Sequence, residues 1–174
     1  MPRMASVQDG LRVNGLDVAE LREQITAIEA DRAVGDRAAS ITTRWVGGLR
    51  SAATSSFGGP TVFMGGDEDP GAMGMLLRAL AACDIEVIVT RASLLGLRLD
   101  GLWIEVRGSF NVAPYLGLAS PDGAGYQRIS FVVHMNAPDA APEHIEEIRT
   151  ALAVSPVGET LTRRVPVTFE LDVA

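Results

Sequence analysis

Lysine is missing from this 174-residue chain, and all 15 of its positive charges are arginines. That reads as the coding bias of a high-GC genome, not as a mechanism. The formal net charge is −7 and no basic cluster is visible. A nucleic-acid partner, whose phosphates demand clustered positive charge, is therefore not expected. Cysteine occurs once, at Cys83, so no internal disulfide can form and the chain suits a reducing cytoplasm. The opening residues, MPRMASVQDG, lack the apolar segment of a secretory leader. The most apolar stretch is interrupted by charges near its middle, which argues against a membrane span. The two histidines, His134 and His144, show no metal-ligand spacing; a strand face and a helical first turn account for them. The glycine pairs beginning at 47, 58 and 65 form neither a GxGxxG nor a Walker loop and read as turns. Neither a cofactor nor a metal is expected.

The rest of the chain is arranged around the stretch from Asp69 to Asp100, DPGAMGMLLRALAACDIEVIVTRASLLGLRLD. Pro70 suits a helix start and Gly96 a helix end. Between them Met73, Leu76, Leu77, Leu80, Val87, Ile88, Leu94 and Leu95 recur at spacings of three, four and seven, which is helical periodicity. A helix of roughly 25 residues would span about 38 Å. Its charges, Arg78, Asp84, Glu86 and Arg91, gather on no single face, as in a helix buried nearly all round. Cys83 lies near its middle, beside Ala81 and Ala82.

Before this helix, residues 1–15 read as loose, and Asp17 with Glu20 resembles a capping box opening a helix from about Asp17 to Arg32. Val18, Leu21, Ile25 and Ile28 form its narrow apolar stripe. Three strands are expected at Ser40–Val46, Arg50–Phe57 and Thr61–Met64. After the central helix, strands are expected at Leu97–Phe110 and Tyr126–Asn136, where apolar and polar residues alternate, separated by a loop over Asn111–Gly125. Pro142 opens a helix running to about Val154, Val157–Leu161 forms a helical turn, and Val165, Val167, Phe169 and Leu171 alternate as a closing strand over Val165–Val173. The order is α+β with a largely antiparallel sheet: one domain over 39–174, preceded by an arm with an amphipathic helix over 1–38.

Three ordered segments resemble the OsmC/Ohr family: LLRALAAC after a Pro-containing loop, GLRLDGLWIEVRGSF followed by GYQRISFVVHMNAP, and SPVGETL over Ser155–Leu161. The likeness runs from about Ile41 to the end. It implies an OsmC-like fold, built as an intertwined homodimer with central helices at the interface. The best known members reduce organic hydroperoxides with a cysteine thiolate on that helix, a second cysteine that closes a disulfide, and an Arg with a Glu that polarise the thiol. Cys83 matches the first cysteine. Ser155 stands where the second belongs and cannot resolve a sulfenic acid. The family Glu falls on Met73 and Gly74, which cannot replace it; Glu68 or Asp69 in the preceding loop is the candidate substitute. Arg50, or alternatively Arg44, is the candidate for the Arg.

Two functions follow. In the first, Cys83 and Arg50 are catalytic in a one-cysteine, thiol-dependent hydroperoxide reductase for oxidative stress defence, regenerated by an external thiol. In the second, Cys83 is core, and a pocket lined by Met73, Leu76, Leu80 and Cys83 binds a small apolar molecule without catalysis. Asp84 and Glu86 read as a buried polar network, as part of a pocket, or as surface partners of Arg78 and Arg91; close to the thiol, either acid would raise its pKa.

Overall fold

The structure is a computed structural model and describes residues 12–173. Part of the expected loose segment, 1–11, lies outside them. The remainder is ordered as a tight hairpin, β1 (Arg12–Val13) with β2 (Leu16–Asp17), turning through Asn14-Gly15. The Asn-Gly pair supplies the positive φ such a turn requires, 52° and 84° here. Helix α1 (Val18–Ala30) follows directly, with Asp17 accepting from the N–H groups of Ala19 and Glu20 at 2.9 and 3.1 Å. That side-chain cap satisfies amide groups the first turn leaves without partners.

Strands β3 (Ile41–Gly47), β4 (Arg50–Ser55) and β5 (Val62–Met64) form an antiparallel sheet in sequence order. Its apolar side chains stand largely open: Trp45 is 77% exposed and Leu49 79%. At the end of β5, Gly65 has φ 80°, and a Cβ there would come within 2.2 Å of the Leu49 carbonyl oxygen, so only glycine fits the return toward the central helix.

Central helix α2 spans Ala72–Leu94, 23 residues, with Gly71 as its N-cap and Leu95-Gly96 at its end. Strands β6 (Gly101–Phe110) and β7 (Tyr126–Asn136) pair antiparallel from Gly101↔Asn136 to Phe110↔Tyr126. Residues 97–100, expected as the start of β6, are instead irregular chain after the turn at 95–96 that ends α2. Helix α3 (Pro142–Leu152) and the short α4 (Pro156–Thr162) complete the order. The core lies where the C-terminal half of α2 meets α3 and the inner face of β6–β7: Ile88, Ala92, Leu97 and Ile148 are buried, packed by Leu102, Ile104, Val133 and Met135. The alternation expected of both strands follows from this one-sided burial.

Two expectations are corrected. α2 is not buried all round; only Leu80, Asp84, Ile88, Ala92 and Ser93 are, an i, i+4 stripe that leaves the opposite side open. Nor do residues 165–173 form a strand: they run as irregular chain, with Phe169 93% exposed, because no sheet edge of the described chain lies alongside to pair with them. The α+β class holds, with antiparallel sheets throughout.

Candidate functional site around Cys83

Cys83 and Asp84 are neighbours on α2 but point to different sides, about 100° apart around the axis, as successive helical residues must. Asp84 falls on the buried stripe between Leu80 and Ile88 and is 1% exposed. Cys83 falls beside it, half-buried, at the wall of an open cavity of about 320 Å³. The cavity runs toward the C-terminal half of α2. Glu86, Val87, Thr90, Arg91 and Leu94 line it from that helix, and Ala151, Val154 and Pro156 from the α3–α4 junction. The expected pocket residues Met73, Leu76 and Leu80 are not among them. Leu80 is instead buried, and the Met73 carbonyl accepts a bond from the Tyr126 hydroxyl at 2.9 Å. The cavity opens on the C-terminal side of Cys83, a direction that residue spacing along α2 does not reveal.

The α3–α4 junction brings Ser155 to this place. Pro156 starts α4, and the backbone of Ser155 is satisfied on both sides, its N–H donating to the Leu152 carbonyl at 3.2 Å and its C=O accepting from Glu159 at 2.7 Å. The side chain is left free to point inward, 1% exposed, with Oγ 3.5 Å from Cys83 Sγ. Asp84 Oδ2 has no partner at all. Burial pushes the Asp84 carboxyl above its ordinary range, and the influence of Ser155 only partly opposes that. Ser155 thus reaches the half-buried thiol, while Asp84 is buried on the next face of α2. Sequence reasoning had Cys83 and Ser155 in hand separately, and left Asp84 open between surface and interior. The missed signal was its spacing, four residues from both Leu80 and Ile88.

Arg50 is elsewhere. Its Nε lies 2.6 Å from Asp69 Oδ2, and its guanidinium sits 4.2 Å from the centre of the Phe63 ring. The expected substitute acid and the expected arginine are therefore joined to each other, but neither lines the Cys83 cavity. Arg44 is on β3, opposite Ala52, and does not line it either. The arginine that does is Arg91, 3.9 Å from Glu147 of α3. The histidines have local roles: His144 Nδ1 accepts from the Ala141 N–H at 3.2 Å at the start of α3, and His134 stacks on Trp103 across β6 and β7 at 4.7 Å. Among the described residues no group of three or more His, Cys, Asp or Glu is placed to hold a metal ion. No helix among them is long and apolar enough to cross a membrane.

Fold and site define a small α+β protein whose one thiol sits midway along a long helix, at an open cavity. The family model for OsmC-like protein matches residues 65–170, and the chain belongs to that family. Solved structures agree in fold. The OsmC-like protein of Mycoplasma pneumoniae superposes with a TM-score of 0.61 at 21% identity, over 73% of this chain and 89% of its own. An OsmC-like protein of unknown function from Vibrio cholerae gives 0.59 at 7% identity, over 72% and 94%. An organic hydroperoxide resistance protein from Legionella pneumophila gives 0.51 at 15%, over 72% and 89%. No curated protein matches the chain.

Proposed function

We propose that this protein is a one-cysteine, thiol-dependent reductase of organic hydroperoxides, working as a cytoplasmic homodimer in oxidative stress defence. One observation carries the reading: Cys83 Sγ borders an open, largely apolar cavity and lies 3.5 Å from Ser155, the residue at the position of the second cysteine. The contact supports the alignment of the two positions, and the hydroxyl explains what would differ. The Cys83 thiolate attacks the distal peroxide oxygen, the O–O bond breaks, and an alcohol leaves as sulfenic acid forms. Ser155 cannot close a disulfide. An external thiol therefore condenses with the sulfenic acid, releasing water, and a second thiol reduces the mixed disulfide. The sum is one hydroperoxide and two thiols giving an alcohol, water and a disulfide. The apolar lining favours an organic peroxide over hydrogen peroxide.

A second reading, binding of a small apolar molecule without catalysis, is favoured by the position of Arg50, which is held by Asp69 and does not line the Cys83 cavity. Turnover of cumene hydroperoxide with dithiothreitol decides between them. The expected result is hydroperoxide consumption by the native chain that Cys83→Ser abolishes. If the native chain is no faster than Cys83→Ser, yet both bind an apolar fluorescent probe, the binding reading replaces the first.

A further inference from the structure

We propose that the cavity beside Cys83 selects the reductant of the cycle: a small thiol that carries both an ammonium and a carboxylate, as cysteine does, held between Glu86 and Arg91. The inference rests on the peroxidase reading of the same cavity and names its second substrate. Glu86 and Arg91 touch the entering thiol and take no part in the bond changes at sulfur.

The open route to the thiol passes these two side chains. On one side Cys83 Sγ lies 3.5 Å from Ser155 Oγ, and Ser155 is 1% exposed. On the other is the cavity. At about 100° per residue, Cys83, Val87, Thr90 and Leu94 fall within about 60° of one another and form its floor. Glu86 and Arg91 fall about 140° apart, one on each flank of that floor, and are separated by about 7.5 Å along the axis. Helical side chains lean toward the N-terminus, so Arg91 leans back along the floor toward Cys83. Its ion pair with Glu147 of α3 is one long contact, at 3.9 Å, between half-exposed side chains. Such a pair is weak, and a guanidinium has five N–H donors, so Arg91 keeps donors for a carboxylate.

The two charges have no use for the first substrate. An apolar hydroperoxide is held by the floor and leaves both flanks unmatched. A thiol with one charge gains at one flank and loses at the other, whereas a thiol with both charges gains at each. The cavity, about 320 Å³, takes one small molecule at a time, so the alcohol leaves before the thiol enters. The thiol sulfur then attacks the sulfenic acid sulfur of Cys83. An S–S bond forms, the S–O bond breaks, and the hydroxide leaves as water with the proton of the thiol. A second thiol of the same class attacks the first one's sulfur. The S–S bond to Cys83 breaks, its electron pair and the second thiol's proton return to Cys83, and the disulfide of the two reductants departs. Cys83 is reduced by two electrons, one from each thiol.

The test needs no peroxide. Methyl methanethiosulfonate converts Cys83 to a methyl mixed disulfide, and mass spectrometry follows its reduction by four thiols. L-cysteine carries both charges, 3-mercaptopropionate the carboxylate, cysteamine the ammonium, and 2-mercaptoethanol neither. Each rate is divided by that of the same thiol on free N-acetylcysteine methylamide carrying the same group, which removes differences in thiol reactivity. L-cysteine is expected to lead, by about fivefold over 2-mercaptoethanol at low salt, with the lead shrinking as salt is raised. In Arg91→Gln cysteamine overtakes L-cysteine, and in Glu86→Gln the lead of L-cysteine over 3-mercaptopropionate narrows. Circular dichroism confirms that both variants are folded. Charges that only decorate the helix move neither ratio. Four corrected rates that agree within twofold, an order that neither variant changes, or a Cys83 that methyl methanethiosulfonate leaves unmodified overturns the proposal. Selection by charge together with no turnover of cumene hydroperoxide would leave the thiol-binding site standing and remove the peroxidase reading instead.

Discussion

At the scale of single residues, the protein places a carboxyl where its helix is most buried. The consequence for stability can be signed. In the unfolded chain Asp84 ionises at its ordinary value of 3.8, while burial keeps the folded carboxyl protonated to higher pH. Between the two, the folded state binds more protons, so stability falls as pH rises. Below 3.8 both states are protonated and the difference vanishes. Asp84→Asn removes the ionisation. We therefore expect urea denaturation to find the native chain losing stability relative to Asp84→Asn as pH is raised from about 4 toward neutrality. The opposite slope would mean that Asp84 is stabilised as an anion in the fold. A buried acid retained at a stability cost, beside the only thiol, is the pattern expected where function sets the residue.

At the scale of elements, the fold depends on a clip between the first hairpin and the end of α2. The Asn14 amide donates to Ser93 Oγ at 3.1 Å and to the Leu97 carbonyl at 2.9 Å, and its oxygen accepts from the Leu99 N–H at 2.8 Å. Ser93, wholly buried, donates in turn to the Val13 carbonyl at 3.0 Å. Asn14→Ala leaves these groups short of partners at a part-buried seam, and a loss of about 1–3 kcal/mol is expected in urea denaturation. Exchange of the Leu99 amide hydrogen should speed up with it; unchanged exchange there would show that the hairpin does not hold α2. None of this was legible beforehand, because a bond between residues 14 and 99 leaves no periodic trace. Elements whose information is local were legible. β7 has its expected limits, Tyr126–Asn136, since alternation over 11 residues specifies a one-sided strand. Asp17 caps α1 as its spacing implied, and Pro142 opens α3. The same holds at the site. The cysteine and the serine could be read from motif order, whereas the side on which the cavity opens and the burial of Asp84 depend on how α3 and α4 pack on α2. The Val165–Val173 strand failed for the complementary reason: alternation records a preference for an edge, but no edge of the described chain is there to receive it.

At the scale of the whole molecule, that unmet preference is an argument for a second copy. Among the exposed apolar side chains are Ile41, Trp45 and Leu49 of the β3–β4 hairpin, and Val167, Phe169, Leu171 and Val173 of the 165–173 segment. Extensive exposed apolar surface marks a place where another protein surface can dock. An isolated three-stranded sheet open on its apolar side chains gains little from its own packing and much from being covered. A two-fold arrangement would offer the tail of one protomer a sheet edge on the other, and the proposed homodimer accounts for both features with one contact. A stable dimer buries on the order of 800 Å² from each partner. Light scattering should then find twice the chain mass at micromolar concentration, and backbone amides over 165–173 should be protected from hydrogen exchange. Trp45→Glu with Phe169→Glu would place buried charges in the interface and should shift the protein to monomer while α2 and the β6–β7 pair remain folded. A native chain that is monomeric, with freely exchanging amides over 165–173, would reject the dimer. It would also mean that Arg50, held by Asp69 away from the Cys83 cavity in its own chain, has no second copy through which to reach the thiol.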